Sequence, residues 1–597
     1  MSTKNKILLF LCAVAAGAGI FFFSARYRSP SPVPIVTEGT RIEDFALLDQ
    51  NATMMEFSRQ TTAKAVALIS YGVGCPIVRK MLPKLEQLRE KYSAKGIRFF
   101  FVDANPQDTR ASLQAEAKEF GIKIPILLDE TQDVLRGLNV ERTGEVILVE
   151  PKSRNILYRG AIDDRFGYGS SKPQAAENYF ERAADQFLAG RAISHPNIPA
   201  LGCAIEYLKA PAVTYTQHVR PILEAKCYTC HVNQKVAPTN IIHYRDLRGW
   251  GRMLREVIRA ERMPPWEADE TVCDLGQSVA LTAEEKRTIF AWVDSGYPEG
   301  PPVKEKKEVF HYPSIRPDLV LQMKAPVKIK ADDSFPWHYE QLIAETAEEM
   351  WISGYHFEFT NPAVLNHVNI FYTQKPVDIS QNIFEPEWAD PENVSGMLWG
   401  TISVPRPYKL KNGLAFRIPK GSRVYLELHF TPTGKPETEF VKVSLEKYSD
   451  SVPPRELKFN NIWLAELRIP PGSESTWAAA EKTVEKNIQI LATGFHMHAR
   501  GKSVKFSEIS RDGKLRPLCN LPRFLLKNKL AQIYKKPLAV SAGSRLRVEF
   551  EYDNSPANPT RVDSSKEVRW GQDQREDEMG RMYYWSFDSS NARQVKP

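Results

Sequence analysis

The chain has 597 residues, 42% of them hydrophobic, with 80 basic against 72 acidic side chains and a net charge of +8. That length exceeds a single domain, and the apolar content supports several packed cores. The positive excess is spread without dense basic blocks, which argues against nucleic acid as a partner. Seven cysteines are too few for a disulfide-rich scaffold.

Residues 1–30 carry Lys4 and Lys6, an apolar run over 7–23, then Arg26 and Arg28. A charged start followed by an apolar run is an export signal. The run approaches spanning length and no small-residue cleavage site closes it, so a cleaved signal peptide and an inner-membrane anchor both stand. Either reading puts the rest outside the cytoplasm, periplasmic, secreted or anchored. Cys12 follows Leu11 within the run and is not read as a lipid site. A proline-rich linker over 29–36 leads away from the membrane.

Over 38–210, strands expected at 65–71, 97–103 and 145–150 alternate with helices at 76–92 and 109–120, the pattern of an α/β sheet. Gly74-Cys75-Pro76 falls at a strand-to-helix turn, and Tyr158 to Asp164 reads YRGAIDD. Together these resemble a thioredoxin-fold redoxin of the thiol-specific antioxidant type. Three positions depart from that family. Val78 stands where a dithiol enzyme has its second cysteine, Gly72 where a peroxidatic site has threonine, and Thr143-Gly144 where a cis-proline faces the thiol. Cys75 still sits at a helix N-terminus, which favours thiolate, and Cys203 is a candidate partner. A structural Cys75–Cys203 disulfide, a redox-active Cys75 and two inert thiols are all open; a catalytic peroxiredoxin is not expected.

An all-α domain resembling cytochrome c is expected over 211–302. Its centre is Cys227-Tyr228-Thr229-Cys230-His231, the C-x-x-C-H attachment pattern of haem c. Two thiols at that spacing add to the two vinyl groups of one porphyrin, and the histidine ligates the iron. A zinc site would need further close ligands, and only His218 and His243 lie near. Met263, in RMPPW, is the expected opposite axial ligand, its loop stiffened by prolines; Met253 lies in a helical run. Helices are expected at 215–225 and 281–296, with a charged linker over 304–308.

Beyond Pro313, short Val, Ile, Phe, Tyr and Thr runs alternate with Pro, Gly, Asn and Asp turns. Examples are 364–372, 423–430, 441–446, 488–495, 504–509 and 545–552. This pattern predicts antiparallel β-sandwiches, and the span is long enough for two, over 315–455 and 458–597. His496-Met497-His498 places two imidazoles on one strand face, about 6.6 Å apart along it. Histidines with a thioether suit copper, because soft sulfur stabilises Cu(I).

The run GFHMHARGKS over 494–503, with Asn366-His367-Val368, LHFTP over 428–432, YDNS over 552–555 and Asp577-Glu578-Met579, resembles the type II copper, ascorbate-dependent monooxygenases. That family includes peptidylglycine α-hydroxylating and dopamine β-monooxygenases. The resemblance implies two jelly-roll sandwiches facing a solvent-filled cleft. It implies an oxygen-activating copper on His496, His498 and Met579, and an electron-storing copper on His367 and His429. Asn366 replaces one of two adjacent histidines of the family, and His356 is a possible substitute ligand. Cys273 and Cys519 are left over, as free thiols or as a bond between the cytochrome-like and sandwich regions.

The expectation is an exported copper monooxygenase that hydroxylates a small-molecule or peptide substrate with O2. Its cofactors are one or two coppers and a haem c. The electron donor is ascorbate or a periplasmic reductant, and the N-terminal segment is a candidate membrane contact. The alternative is a redox protein that transfers electrons or binds copper without oxygen chemistry.

Overall fold

The computed structural model describes residues 40–167, 170–231, 241, 243–276, 278–302, 313–332, 337–376, 379, 396–401, 407–526, 531–571 and 573–589. The expected signal or anchor lies outside them. Among the described residues no helix is long and apolar enough to cross a membrane. The protein is multidomain, with a thioredoxin-like α/β domain followed by a helical region and extensive β-sheet.

The first domain is built on β1 (Ala65–Tyr71), β2 (Ile97–Asp103), β3 (Ile126–Leu128), β4 (Val146–Val149), β5 (Ile156–Gly160) and β6 (Asn197–Ile198), in sheet order β6-β5-β4-β1-β2-β3. β1 runs parallel to β2 and antiparallel to β4. All seven β1 residues are buried, because helices cover both faces. Ala65, Ala67, Ile69 and Tyr71 meet α1 (Pro76–Ser93) and α4 (Tyr179–Leu188). Val66 and Leu68 pack with Phe45, Phe57 and α3 (Asp133–Gly137). α2 (Arg110–Phe120) starts at a Thr109–Ser112 capping box and ends at Gly121 with φ 64°, the left-handed stop that glycine permits.

A single π turn, Tyr215–Val219, leads into α5 (Arg220–Lys226) and α6 (Tyr228–His231), followed by α7 (Tyr244–Arg259) and α8 (Ala283–Asp294). Their core gathers Leu223, Tyr228, Leu247, Ile258, Ile289 and Trp292. Trp292 is fully buried, 5.2 Å from the Tyr297 ring and 6.0 Å from that of Tyr215, and its indole donates to Pro298 O at 3.1 Å. Trp292→Ala should destabilise this unit by about 3–5 kcal/mol, read as a lower urea midpoint for cleavage within 211–302 in pulse proteolysis.

The expected all-α domain over 211–302 is not self-contained. Between α7 and α8 the chain leaves the helices and lies on the last β-sandwich. Ala268, Cys273 and Leu275 join that sandwich's core, and Leu275 bridges Tyr534. Cys273 is disulfide-bonded to Cys519, which decides between the bond and free thiols. Apolar residues in this segment drive it into the sandwich, which offers more burial than a four-helix cluster.

The first sandwich has one sheet of β7 (Leu319–Gln322), β9 (Met350–Phe359), β12 (Leu414–Ile418), β14 (Val441–Lys447) and β15 (Arg455–Glu456), in order β7-β14-β9-β12-β15; the short strand Tyr408–Lys409 adds to β9. Its other sheet is β8 (Trp337–Ile343), β10 (Leu365–Thr373), β11 (Gly396–Thr401) and β13 (Arg423–Phe430), in order β8-β13-β10-β11. Residues of both sheets share one core, among them Ile352, Phe357, Val368, Ile370, Leu426 and Leu428.

The second sandwich pairs β16 (Lys458–Trp463), β18 (Ile488–His496), β21 (Gln532–Val540) and β23 (Arg581–Asp588), in order β16-β23-β18-β21. Facing them are β17 (Thr476–Thr483), β19 (Gly501–Ile509), β20 (Leu515–Leu521) and β22 (Arg545–Tyr552), in order β17-β22-β19-β20. Along β23, Met582 and Tyr584 enter this sandwich's core, while Trp585 and Phe587 join the core of the first. The two-residue period of a strand thus buries both faces of one sheet, and the sandwiches are joined through it.

Candidate redox sites

Cys75 is the N-cap of α1, with Pro76 in the first turn, where the proline ring is already shaped for a helix start. The thiol is 5% exposed, and its Sγ lies 3.1 Å from the Thr143 hydroxyl. That hydroxyl accepts from Cys203 N at 3.0 Å, while Thr143 N donates to Cys203 O at 2.9 Å. Arg142 and Ala204 form an antiparallel bridge. The segment around Cys203 is therefore laid against the turn before β4. Gly202 permits the approach, since a Cβ there would stand 1.8 Å from Thr143 O.

Cys75 and Cys203 are free thiols, not the structural disulfide that was one reading. Burial opposes charge on Cys75. Hydrogen bonds from the Cys203 thiol and the Thr143 hydroxyl, with backbone N–H groups, outweigh it and hold Cys75 below the ordinary thiol value. Burial and the charge on Cys75 push Cys203 up to about 11. Thr143 was legible only as a missing proline; its place opposite the thiol was the available signal. Glu116 fixes the turn: it accepts from Gly74 N at 3.1 Å, Tyr71 OH at 3.2 Å and Arg79 Nε at 3.0 Å.

Cys227, Cys230 and His231 follow one another around a single helical turn. Cys230 N and His231 N both donate to Cys227 O, each at 3.1 Å. Both cysteines are partly exposed, and neither is in a disulfide. Burial, then the neighbouring Cys230, pushes Cys227 up to about 12. Two thiols one turn apart with a histidine beside them are the donor set that thioether attachment of haem uses. Met263 lies past the end of α7, 40% exposed, with its amide on Val257 O. Met253 is on α7 itself, 48% exposed.

His496 ends β18 and His498 follows, with Met497 turned into the second sandwich's core. The two imidazoles lie edge to face at 5.3 Å. Glu578 locks this turn, which crosses from one sheet to the other, to the Met579 segment: its carboxylate accepts from His498 N, Arg500 N at 2.9 Å and Met579 N at 3.3 Å. Burial holds Glu578 up at about 8 against those three donors. His498 Nδ1 faces Asp577 O at 3.4 Å, and Met579 is 5% exposed. Among the described residues no three His, Cys, Asp or Glu side chains gather as a metal group. A metal here depends on the thioether as its third ligand. Two imidazoles and a soft sulfur fit copper.

His367 on β10 and His429 on β13 are cross-strand partners, their rings 5.1 Å apart. Both ring nitrogens of His367 are engaged with protein oxygens, Nδ1 with Asn366 Oδ1 at 3.0 Å and Nε2 with Glu427 Oε1 at 3.3 Å. His429 Nδ1 meets Gln574 Nε2 at 3.3 Å. As arranged, His367 does not fit a ligand role: a metal would have to displace a hydrogen bond that Asn366 or Glu427 makes. His356 is no substitute, because it lies on β9 in the facing sheet, opposite Ser444. The resemblance implied an open, water-filled cleft. Instead Gln574, 4% exposed, reaches from the second sandwich to His429, and its carbonyl accepts from Ala499 N. One loop thus touches both histidine pairs.

The Redoxin family matches residues 37–167. That part of the chain is a redoxin domain of thioredoxin-like fold, and Cys203 lies beyond it. Relatives over the same region include the thiol-disulfide oxidoreductase ResA of Halalkalibacterium halodurans, 24% identical over 142 residues, which are 24% of this chain and 77% of the relative. The ResA of Geobacillus kaustophilus is 27% identical over 149 residues, 25% of this chain and 79% of the relative. This homology supports a redox role. Among solved structures, a hypothetical protein from Sinorhizobium meliloti 1021 is 24% identical, covering 29% of this chain and 96% of that one, with a TM-score of 0.27. A thiol:disulfide interchange protein from Bacteroides sp. is 19% identical, covering 21% and 81%, with a TM-score of 0.19.

Proposed function

We propose that this is an exported copper-dependent monooxygenase that draws its electrons through a haem c on the same chain. The observation that carries the reading is the His496–His498 pair, edge to face at 5.3 Å and fixed to the Met579 segment by Glu578. Copper held by His496, His498 and Met579 would supply the reduction of O2. A haem would be held through Cys227 and Cys230, with His231 and Met263 as the side chains that could ligate its iron, and would supply the electrons. The chain's own residues hold the imidazoles in place through Glu578 and close the space between the sandwiches with Gln574. The overall reaction consumes substrate, O2, two electrons and two protons, and yields hydroxylated product and water. A small molecule or peptide is the substrate, and ascorbate or a periplasmic reductant is the outside donor. The Cys273–Cys519 disulfide favours an oxidising compartment, in keeping with export and with an N-terminal segment that anchors or is cleaved.

A second reading is a redox protein that binds copper or transfers electrons without oxygen chemistry. The hydrogen bonds that occupy both nitrogens of His367 favour it, since the relay copper of the monooxygenase family would then be weak or missing. The two readings separate on metal content and 18O2. Iron with copper, and label in an oxidised product, supports the monooxygenase; iron without copper, or both metals with no label in any product, supports the second. His231→Ala should abolish turnover with a periplasmic donor while copper binding persists. Unchanged turnover would remove the haem from the reading.

A further inference from the structure

The sulfur pair of the redoxin domain lacks the C-x-x-C spacing, and its second member comes from outside the family-matched region. We infer that Cys75 and Cys203 form a reversible dithiol–disulfide centre that exchanges with a partner protein dithiol through Cys203, Cys75 being the sulfur that leaves and resolves.

Four observations support this. Cys75 Sγ and Cys203 N both meet the Thr143 hydroxyl, at 3.1 and 3.0 Å, which brings the two free thiols together. Cys75 is 5% exposed while Cys203 is partly exposed, so an incoming sulfur meets Cys203 first. Stabilising groups converge on Cys75: the start of the 18-residue helix α1 and the Thr143 hydroxyl at 3.1 Å. Such groups make it the better leaving thiolate, and a stabilised thiolate makes the disulfide form the more oxidising. A cavity of about 260 Å³ opens beside the pair, reaching Gly144 next to Thr143 and Leu201 two residues before Cys203. Its Met81, Ile162 and Tyr179 suit an apolar side chain, and Asp163 and Asp164 border it. An extended peptide carrying the dithiol fits that surface.

The exchange balances as follows. A partner thiolate attacks Cys203 Sγ, the Cys75–Cys203 bond breaks, and its electron pair leaves on Cys75 as thiolate. The partner's second thiol gives up its proton and attacks its own sulfur in the mixed disulfide. Cys203 departs with the electron pair and takes a proton. The partner is oxidised by two electrons to a disulfide and the centre is reduced by two; counted from the fully protonated partner dithiol, whose attacking thiol first ionises, one proton is released to solvent. Run backwards, the Cys75 thiolate resolves a mixed disulfide on Cys203.

The test uses the full chain in mixtures of reduced and oxidised dithiothreitol, quenched in acid, alkylated and read peptide by peptide. Cys75 and Cys203 should lose alkylation together along one two-electron curve. Above Cys75's lowered value and below the range where dithiothreitol's own thiols ionise, about 8.5 for an ordinary thiol, the equilibrium constant should change about tenfold per pH unit, moving the midpoint down by about 30 mV. Two thiols that stay alkylated in the most oxidising mixture, or titrate independently, would overturn the centre. With glutathione disulfide as probe, Cys75→Ser should accumulate glutathione on Cys203. Cys203→Ser should acquire it on Cys75 at least tenfold more slowly. Equal or faster reaction at Cys75 would reverse the assigned roles.

Discussion

His498→Ala should weaken copper binding to the second sandwich by more than about 100-fold, beyond what loss of an outer-shell partner costs. His367→Ala should leave that affinity nearly unchanged. The asymmetry follows from the surroundings of the two pairs. His498, Arg500 and Met579 offer their backbone amides to Glu578, so the turn that carries His498 is held through its backbone. His367 spends both of its nitrogens on Asn366 and Glu427. A metal at the first pair leaves those backbone contacts intact, whereas at His367 it costs a hydrogen bond to Asn366 or to the Glu427 carboxylate, the latter charge-assisted. The measurement is copper titration of each variant, monitored at the second sandwich by protection of Met579 from oxidation. Equal losses in the two variants would mean one shared site instead. Comparable affinity in His498→Ala would remove the His496–His498 turn from the metal reading altogether.

The redoxin strands and the sandwich strands were legible because their burial follows simple periods. Residues 65–71 read as one unbroken apolar run, the mark of a strand covered on both faces. Residues 423–430 and 545–552 were expected at the bounds observed for β13 and β22. What escaped was burial of the second face. Tyr425, Glu427 and His429 alternate with core residues on β13, and each is almost wholly buried as well. Their cover comes from the second sandwich, far away in sequence, and a two-residue period says nothing about what lies opposite it. The same holds for the segment between α7 and α8, whose apolar residues belong to a different domain's core from its flanks. Of the candidate sites, residue types and spacing disclosed the sulfurs and histidines. Thr143, Gln574, Glu427 and Glu578 have ordinary side chains, and only the folded backbone brings them to those groups.

Replacing both Cys273 and Cys519 with alanine should release the helical unit from the second sandwich. The bond joins positions 246 residues apart, and each cysteine is at most 1% exposed. Chain-entropy reasoning for so long a loop gives about 5 kcal/mol, and native disulfides typically return about 2–5 kcal/mol. The lower part of that range is expected here, because the intervening sandwich and sheets are ordered by their own cores and do not sample the whole loop. What remains without the bond is a thin seam. Asp269 N donates to Asn520 O at 2.9 Å, Gly276 N to Ile533 O at 2.8 Å and Lys535 N to Asp274 O at 2.9 Å, while Arg523 reaches Glu261 O at 2.7 Å. Such backbone hydrogen bonds contribute about 1 kcal/mol each, so local opening should become more frequent. Limited proteolysis should then cut the variant within 260–280 at least tenfold faster than the parent chain, and the parent should match it once reduced with excess dithiothreitol. If haem and copper exchange electrons through this docked arrangement, the variant should keep both metals and lose most of its donor-driven turnover. A variant as protease-resistant as the parent would show that Ala268, Leu275 and the seam hold the two units together without the disulfide.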